Sequence, residues 1–304
     1  MHRTTIKCKT TAPLFMAGPE TRIPELRATG IKGNMRFIWR AIQCAGDISK
    51  LRELEGEIFG NAYGSNSTKA SEMRLRVDSI CLTTGQEVMT PHRNLRDEYN
   101  GTERDGRIKR AFPAPAIKTG NQFDVIITSS RSMDKHIDFI RLFSLTCLLY
   151  GFGRRSRKGF GTVVITDING VGEDIDYTFD GAVENLKALS YFGAEYTLAN
   201  NNTEIIVKSD NAADYPYIEN IWIVGSKTYP DPSQIIKQIG MSVHCFAGEP
   251  FLGRPNPRFA SSILLSTVPV DSDNDRYSCL VTQLHCAKNT ANRQNFYQKL
   301  AGRL

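Results

Sequence analysis

The stretch that narrows the fold most begins near Ser132 and ends at Thr166. Ile137, Ile140, Leu142, Phe143, Leu145, Leu148 and Leu149 recur too densely for a helix with one wet face. The helix they predict, capped by Ser132 or Asp134 and running through Tyr150, is therefore largely buried. A glycine-rich basic loop, residues 151 to 161, follows without a break. After it Val163, Val164 and Ile165 form a continuous apolar run of the kind found in central strands. The upstream sequence supplies strands. Residues 3 to 11 are Thr-rich with Ile6 and Cys8 on one side. Met73, Leu75 and Val77 alternate with Arg74, Arg76 and Asp78, and residues 123 to 128 are strongly apolar. From Ile31 the period becomes helical, with Met35, Ile38, Trp39 and Ile42 on one face. Residues 47 to 59 form a second helical piece with Asp47 as its N-cap. The first half thus reads strand, helix, strand, strand, helix, basic loop, strand, the β-α-β-β-α-β order of a ferredoxin-like domain.

Asn169 to Asp176, rich in Gly and Asp, is the expected boundary, giving an N-terminal domain over 1–170 and a C-terminal domain over 177–304. In the second half the pattern predicts helices over 182–192, 230–240 and 290–300. It predicts strands at 204–208, 220–224, 263–268 and 279–284, the mark of a second α+β domain. A chain of 304 residues is long enough for two such cores. The beginning of the sequence lacks the apolar run of a signal peptide, and no stretch reaches membrane-spanning length. The expectation is a cytoplasmic protein with no membrane contact. The seven cysteines agree, being odd in number, scattered and never in C-x-x-C, so they are expected reduced and mostly buried. His244, Cys245, Cys279, His285 and Cys286 are zinc-ligand types, but adjacent His-Cys pairs cannot easily aim at one ion; neither metal nor cofactor is expected.

The net charge of +6 fits an anionic partner, and its distribution says more than its sum. In Gly151-Phe152-Gly153-Arg154-Arg155-Ser156-Arg157-Lys158-Gly159-Phe160-Gly161 four cations stand together with no acid among them. Such crowding is best tolerated beside a polyanion, and glycines such as Gly153 and Gly159 would let backbone N–H groups approach phosphates. Phe152 and Phe160 read first as core anchors and second as stacking faces for a base. The loop is not a Walker phosphate loop: the G-x-x-x-x-G-K-[ST] order is missing and the helix precedes the loop. On the first helix Lys32, Arg36 and Arg40 recur every four residues, a stripe that RNA or facing acids would relieve. Gly33 would open that helix, leaving backbone N–H groups for an anion. A further glycine and proline loop over 248–258 presents Arg254 and Arg258. Residues 91 to 120 read as a long charged insertion of mixed sign, whose plain reading is a solvated loop.

Pro24-Glu25-Leu26-Arg27, Ile31-Lys32-Gly33-Asn34-Met35-Arg36-Phe37-Ile38-Trp39-Arg40 and Glu57-Ile58-Phe59-Gly60 together resemble the N-terminal signature of the CRISPR-associated RAMP proteins. The loop 151–161 resembles that superfamily's glycine-rich loop. Within the superfamily the sequence is most similar to the first subunit of the type III-B (Cmr) effector complex. Leu252-Gly253-Arg254 and Arg258-Phe259-Ala260-Ser261-Ser262 extend the resemblance into the C-terminal half. It implies two ferredoxin-like (RRM-like) domains in tandem and a role in antiviral defence. It also implies contact with the 3′ region of a CRISPR guide RNA, with single-stranded target RNA, and with neighbouring RAMP subunits. By position, Lys32, Arg36 and Arg40 match the basic helix. Arg154, Arg155, Arg157 and Lys158, with Gly153 and Gly159, match the loop, and Arg254 and Arg258 match the C-terminal loop.

Three functions remain open at this point. The first is a non-catalytic RNA-binding subunit that recognises phosphates and shape, leaving sequence to the guide's base pairing. The second is an endoribonuclease. Of His2, His92, His136, His244 and His285, His92 lies nearest a charged segment, with Asp97 and Asp105 as metal-type candidates. The third is a scaffold whose cations pair with acidic protein neighbours.

Overall fold

The computed structural model describes residues 1–61, 69–79, 81–89, 113–170, 175–209, 215–255, 258–270, 276–285 and 292–304. The first half contains β1 (His2–Thr10), α1 (Ala28–Ile42), α2 (Ile48–Phe59), β2 (Met73–Asp78), β3 (Thr84–Val88), β4 (Pro113–Ile117), β5 (Gln122–Ser129), α3 (Met133–Leu149) and β6 (Val163–Asn169). Its main sheet is antiparallel with strand order β2-β5-β1-β6. Alternation fixes which face is covered. Ile6, Cys8, Val125, Ile127 and Met73 point inward to α1 and α3, whereas Arg3, Lys7, Lys9, Arg74 and Arg76 stay exposed. Ser132 caps α3, and the Asp47 carboxylate caps α2 by accepting from the backbone of Ser49 and Lys50 at 2.9 and 3.2 Å.

The second half contains α4 (Ala182–Leu189), β7 (Glu195–Ala199), β8 (Glu204–Lys208), β9 (Ile218–Tyr229), α5 (Pro232–Cys245), β10 (Arg254–Pro255), β11 (Arg258–Phe259), β12 (Ile263–Pro269), β13 (Tyr277–Leu284) and α6 (Arg293–Ala301). Its sheet is antiparallel with order β12-β13-β9-β8-β7. Along β12 and β13 the side chains alternate between two apolar regions. Leu264 and Leu280 face the region that holds α1, α3 and α4, while Ile263, Leu265, Cys279 and Val281 face α5 and α6. Burial on both faces explains why these strands read as continuous apolar runs. The helices α1, α3 and α4 thus lie between the two sheets, and one apolar cluster draws on both halves of the chain. The buried Gln43 amide closes this seam. Its nitrogen donates to the carbonyls of Trp39 and Leu189, and its oxygen accepts from the Tyr191 backbone at 3.0 Å.

Several expectations change. The first helix begins at Ala28, because Ala28 and Thr29 carry no apolar period to announce its first turn. Gly33 is therefore inside the helix, and the unbonded first-turn N–H groups belong to residues 28 to 30. Residues 113–117, placed in the insertion, pair with β3 as a two-stranded ribbon; residues 90–112 lie outside the described residues. The strand and helix expected at 220–224 and 230–240 are each longer, and β7 was not anticipated because Glu195 to Ala199 has only Tyr196 buried.

Candidate nucleic-acid interface

The loop between α3 and β6 is closed on itself: the Phe152 N–H donates to Gly161 O at 2.9 Å. It is also stitched to residues 13–16, with Arg154 N–H donating to Phe15 O at 2.9 Å and Gly161 N–H to Pro13 O at 3.0 Å. The glycines serve this packing. Gly151, Gly153, Gly159 and Gly161 all have positive φ. A Cβ on Gly153 would stand 2.7 Å from Phe15 O, and one on Gly159 would meet Ile239 and Ile236 of α5 at 3.2 and 3.3 Å. The close approach they permit among the described residues is of protein to protein. Phe152 is fully buried and stacks on Phe143, and Phe160 is buried edge-on to Phe15. Both are anchors, the first of the two readings.

This anchored frame sorts the four cations. Arg155 occupies the left-handed region at φ 60°, with its guanidinium over Phe160 at 6.0 Å. Arg157 donates to the Ser261 carbonyl and lies over Phe37 at 4.7 Å and Tyr150 at 5.8 Å. The Lys158 ammonium approaches Leu252 O and Ser261 Oγ, each at 3.4 Å. Arg157 and Lys158 therefore join the loop to residues 252–261 of the second half. Arg154 differs: its side chain is exposed. Burial pushes the Lys158 amine down to about 7, helped by repulsion from Arg155 and Arg157. The folded state thus holds this proton less tightly than the unfolded chain, whose lysine titrates near 10.5. Stability is predicted to rise as pH climbs from about 7 towards 10.5 and to be lost again as pH falls. Urea midpoints across that range should show the slope in the wild type and a flatter profile in Lys158→Met.

The stripe on α1 has partners as well. Lys32 donates to Met73 O at 3.2 Å. Arg36 donates to Gly60 O at 2.7 Å and pairs with Glu55 at 2.8 Å, while the exposed Arg40 reaches the other Glu55 oxygen at 3.6 Å. Glu55, on α2, is the facing acid that relieves the stripe; the sequence hid it because nothing local links it to α1. Arg254 and Arg258 lie in the short β10–β11 ribbon, where Arg254 pairs with Phe259 and Pro255 with Arg258.

Of the candidates for chemistry, His2 and His136 lie together, their ring centroids 5.6 Å apart. His136 is fully buried, with Nε2 at 2.9 Å from the Thr4 hydroxyl and Nδ1 at 3.2 Å from that of Ser129. Burial lowers its pKa, and His2 adds to the shift. His285 Nδ1 lies 2.8 Å from a Glu219 carboxylate oxygen, and its ring stacks on Tyr217. His92, Asp97, Asp105 and Cys286 lie outside the described residues. Among the described residues no three His, Cys, Asp or Glu side chains gather as a metal site, and no helix is long and apolar enough to cross a membrane.

Comparison with known proteins agrees with this geometry. The RAMP superfamily profile matches residues 7–164, which run from β1 through the glycine-rich loop into β6. The CRISPR system Cmr subunit Cmr1-2 of Pyrococcus furiosus is 26% identical over 168 residues, covering 50% of this chain and 89% of that protein. Among solved structures, apo Cmr1 from Pyrococcus furiosus shares the fold with a TM-score of 0.59 at 17% identity, covering 100% of this chain and 97% of the other. A chain of the type III-B Cmr-beta complex bound to cognate target RNA does so with a TM-score of 0.55 at 14% identity, covering 99% of each. The chain belongs to the RAMP superfamily, and the members it resembles are CRISPR proteins of the Cmr type.

Proposed function

We propose that this chain is an RNA-binding, non-catalytic subunit of a type III-B CRISPR ribonucleoprotein effector. In this reading it contacts the 3′ region of the guide RNA, target RNA, or both, beside neighbouring RAMP subunits. The observation that carries the reading is the RAMP match across the glycine-rich loop, joined to sequence likeness with a Cmr subunit. Two strand orders support the further reading of two ferredoxin-like halves. In the first, β1, β2, β5 and β6 take the first to fourth strand positions in the order second-third-first-fourth. In the second, β12-β13-β9 repeats second-third-first, and β8 fills the fourth place. The exposed Arg154 and Arg40 are the cations this reading assigns to phosphate, together with Arg254 and Arg258, which it takes from the sequence.

The test is a titration of purified protein on labelled single-stranded RNA, with and without Mg²⁺, across a series of salt concentrations. Arg154→Ala is the informative variant, since replacing Arg157 would also remove its bond to the Ser261 carbonyl. Wild type should bind without cutting, and Arg154→Ala should reduce the salt slope by about 0.7, the share of one phosphate contact on a single strand. Cleavage abolished by His92→Ala or Asp105→Ala would overturn the non-catalytic reading. Absence of binding at low salt would favour a protein scaffold.

A further inference from the structure

The outer face of the first sheet carries a charge pattern that the loop and the helix stripe do not account for. Strand register sets its side chains in rows. Arg74 of β2, Thr128 of β5 and Arg3 of β1 stand opposite one another, and the next row on the same face is Arg76, Ile126 and Thr5. One row further lie Asp78, Asp124 and Lys7, with Asp167 beside Lys7 on β6. Within the strands themselves the acids are therefore gathered at one end. There Lys7 pairs with Asp167 at 2.9 Å, and Arg76 reaches along its own strand to Asp78. The other end holds Arg3 and Arg74, both exposed, with Thr128 between them and no carboxylate in their row. Beyond that row Arg131 is neutralised by Glu72. Among the described residues, the helices that pack on this sheet, α1 and α3, lie on its other face.

Two guanidinium groups a pair of strand spacings apart, roughly 10 Å, repel each other only weakly in water, so the pair is cheap to keep. What marks the site is its chemistry. Arg3 and Arg74 offer forked donors and Thr128 a hydroxyl, one row away from Ile126, which faces the same way but is buried. Arginine and hydroxyl donors are those that hold a sugar–phosphate backbone in place. A pleated sheet offers no knob or pocket to fix a folded acidic protein, whereas an extended phosphate chain needs only spaced cations and shallow relief.

We infer that the Arg3–Thr128–Arg74 row is a second phosphate-binding track, by which the outer face of the first sheet holds the backbone of single-stranded RNA. This rests on the RNA-binding reading above, and the experiment separates the two. Full-length wild type, Arg3→Ala/Arg74→Ala and Arg154→Ala are titrated with the same labelled single-stranded RNA over 0.05–0.3 M salt. A photo-crosslinking RNA containing 4-thiouridine is mapped in parallel onto peptides 1–9 and 73–78. The double variant should lose about 1.4 from the salt slope, two contacts at about 0.7 each, and bind on the order of ten-fold more weakly at 0.1 M salt. The exposed positions leave the fold intact, which an unchanged thermal midpoint verifies. Wild-type affinity in the double variant, with Arg154→Ala impaired and crosslinks confined to the loop, overturns the track and leaves the RNA reading standing. Absence of RNA binding by wild type overturns both. Normal RNA binding by the double variant, together with loss of its association with neighbouring subunits, overturns the RNA assignment and makes this face a protein contact.

Discussion

Gly161→Ala should cost about 4 kcal/mol or more and leave little folded protein, a far larger effect than removing one methyl group's worth of space. The backbone there has φ 65°, a region that costs any L side chain about 1 kcal/mol. An added Cβ would also stand 1.8 Å from Phe152 O, and the opposing atom is backbone held by the Phe152–Gly161 hydrogen bond. Neither partner can move without opening the loop and its contacts to residues 13–16. Gly120→Ala separates the two causes: φ is 86° there but no atom lies near the new Cβ. That variant should lose only about 1 kcal/mol. Chemical denaturation of both variants measures the difference, and a Gly161→Ala midpoint equal to that of Gly120→Ala would show that the loop is not locked.

Phe152→Ala should destabilise by about 3–5 kcal/mol, the usual cost of emptying a fully buried aromatic site. The ring is fully buried and lies nearly parallel to Phe143, with centroids 6.0 Å apart and planes 17° apart. Phe152→Leu should recover most of that stability, because it refills the site with an apolar side chain of similar size. This pair also tests the two roles the sequence offered for the residue. A ring that stacks on a nucleobase contributes about 1–3 kcal/mol of binding, so a stacking role predicts weaker RNA affinity in Phe152→Leu even when folded. Anchoring predicts unchanged RNA affinity in that variant, the result expected from its burial.

What the sequence revealed and what it concealed have physical causes. Elements with a strong local period were legible: the buried α3 with Ser132 ahead of it, the Asp47 cap, the alternating β2 and the apolar β12 and β13. The start of α1 was not, because a first turn of small residues has no period, and β7 was not, because a mostly wet edge strand reads like a loop. At the candidate interface the glycine-rich loop was conspicuous as composition, yet the partition of its cations was invisible. That Arg157 and Lys158 turn to Ser261 depends on a contact across more than a hundred residues. Glu55 and the Arg3–Arg74 row were concealed for the same reason, since they come together only through helix packing and strand register.

The helices shared between the two sheets have a mechanical consequence. A chain whose halves meet through a thin, wet contact can hinge, and binding to either half must then meet the entropy of stopping that motion. Here α3 has almost no solvent-facing side, and Gln43 fixes the end of α1 to Leu189 and Tyr191, so bending one sheet against the other would open a continuous core. With layers about 10 Å apart, this close packing opposes displacement of the outer face of the first sheet relative to α5 and α6. Neighbours seated on opposite sides would feel each other's position as a fixed offset, in the way a washer sets the gap between two plates.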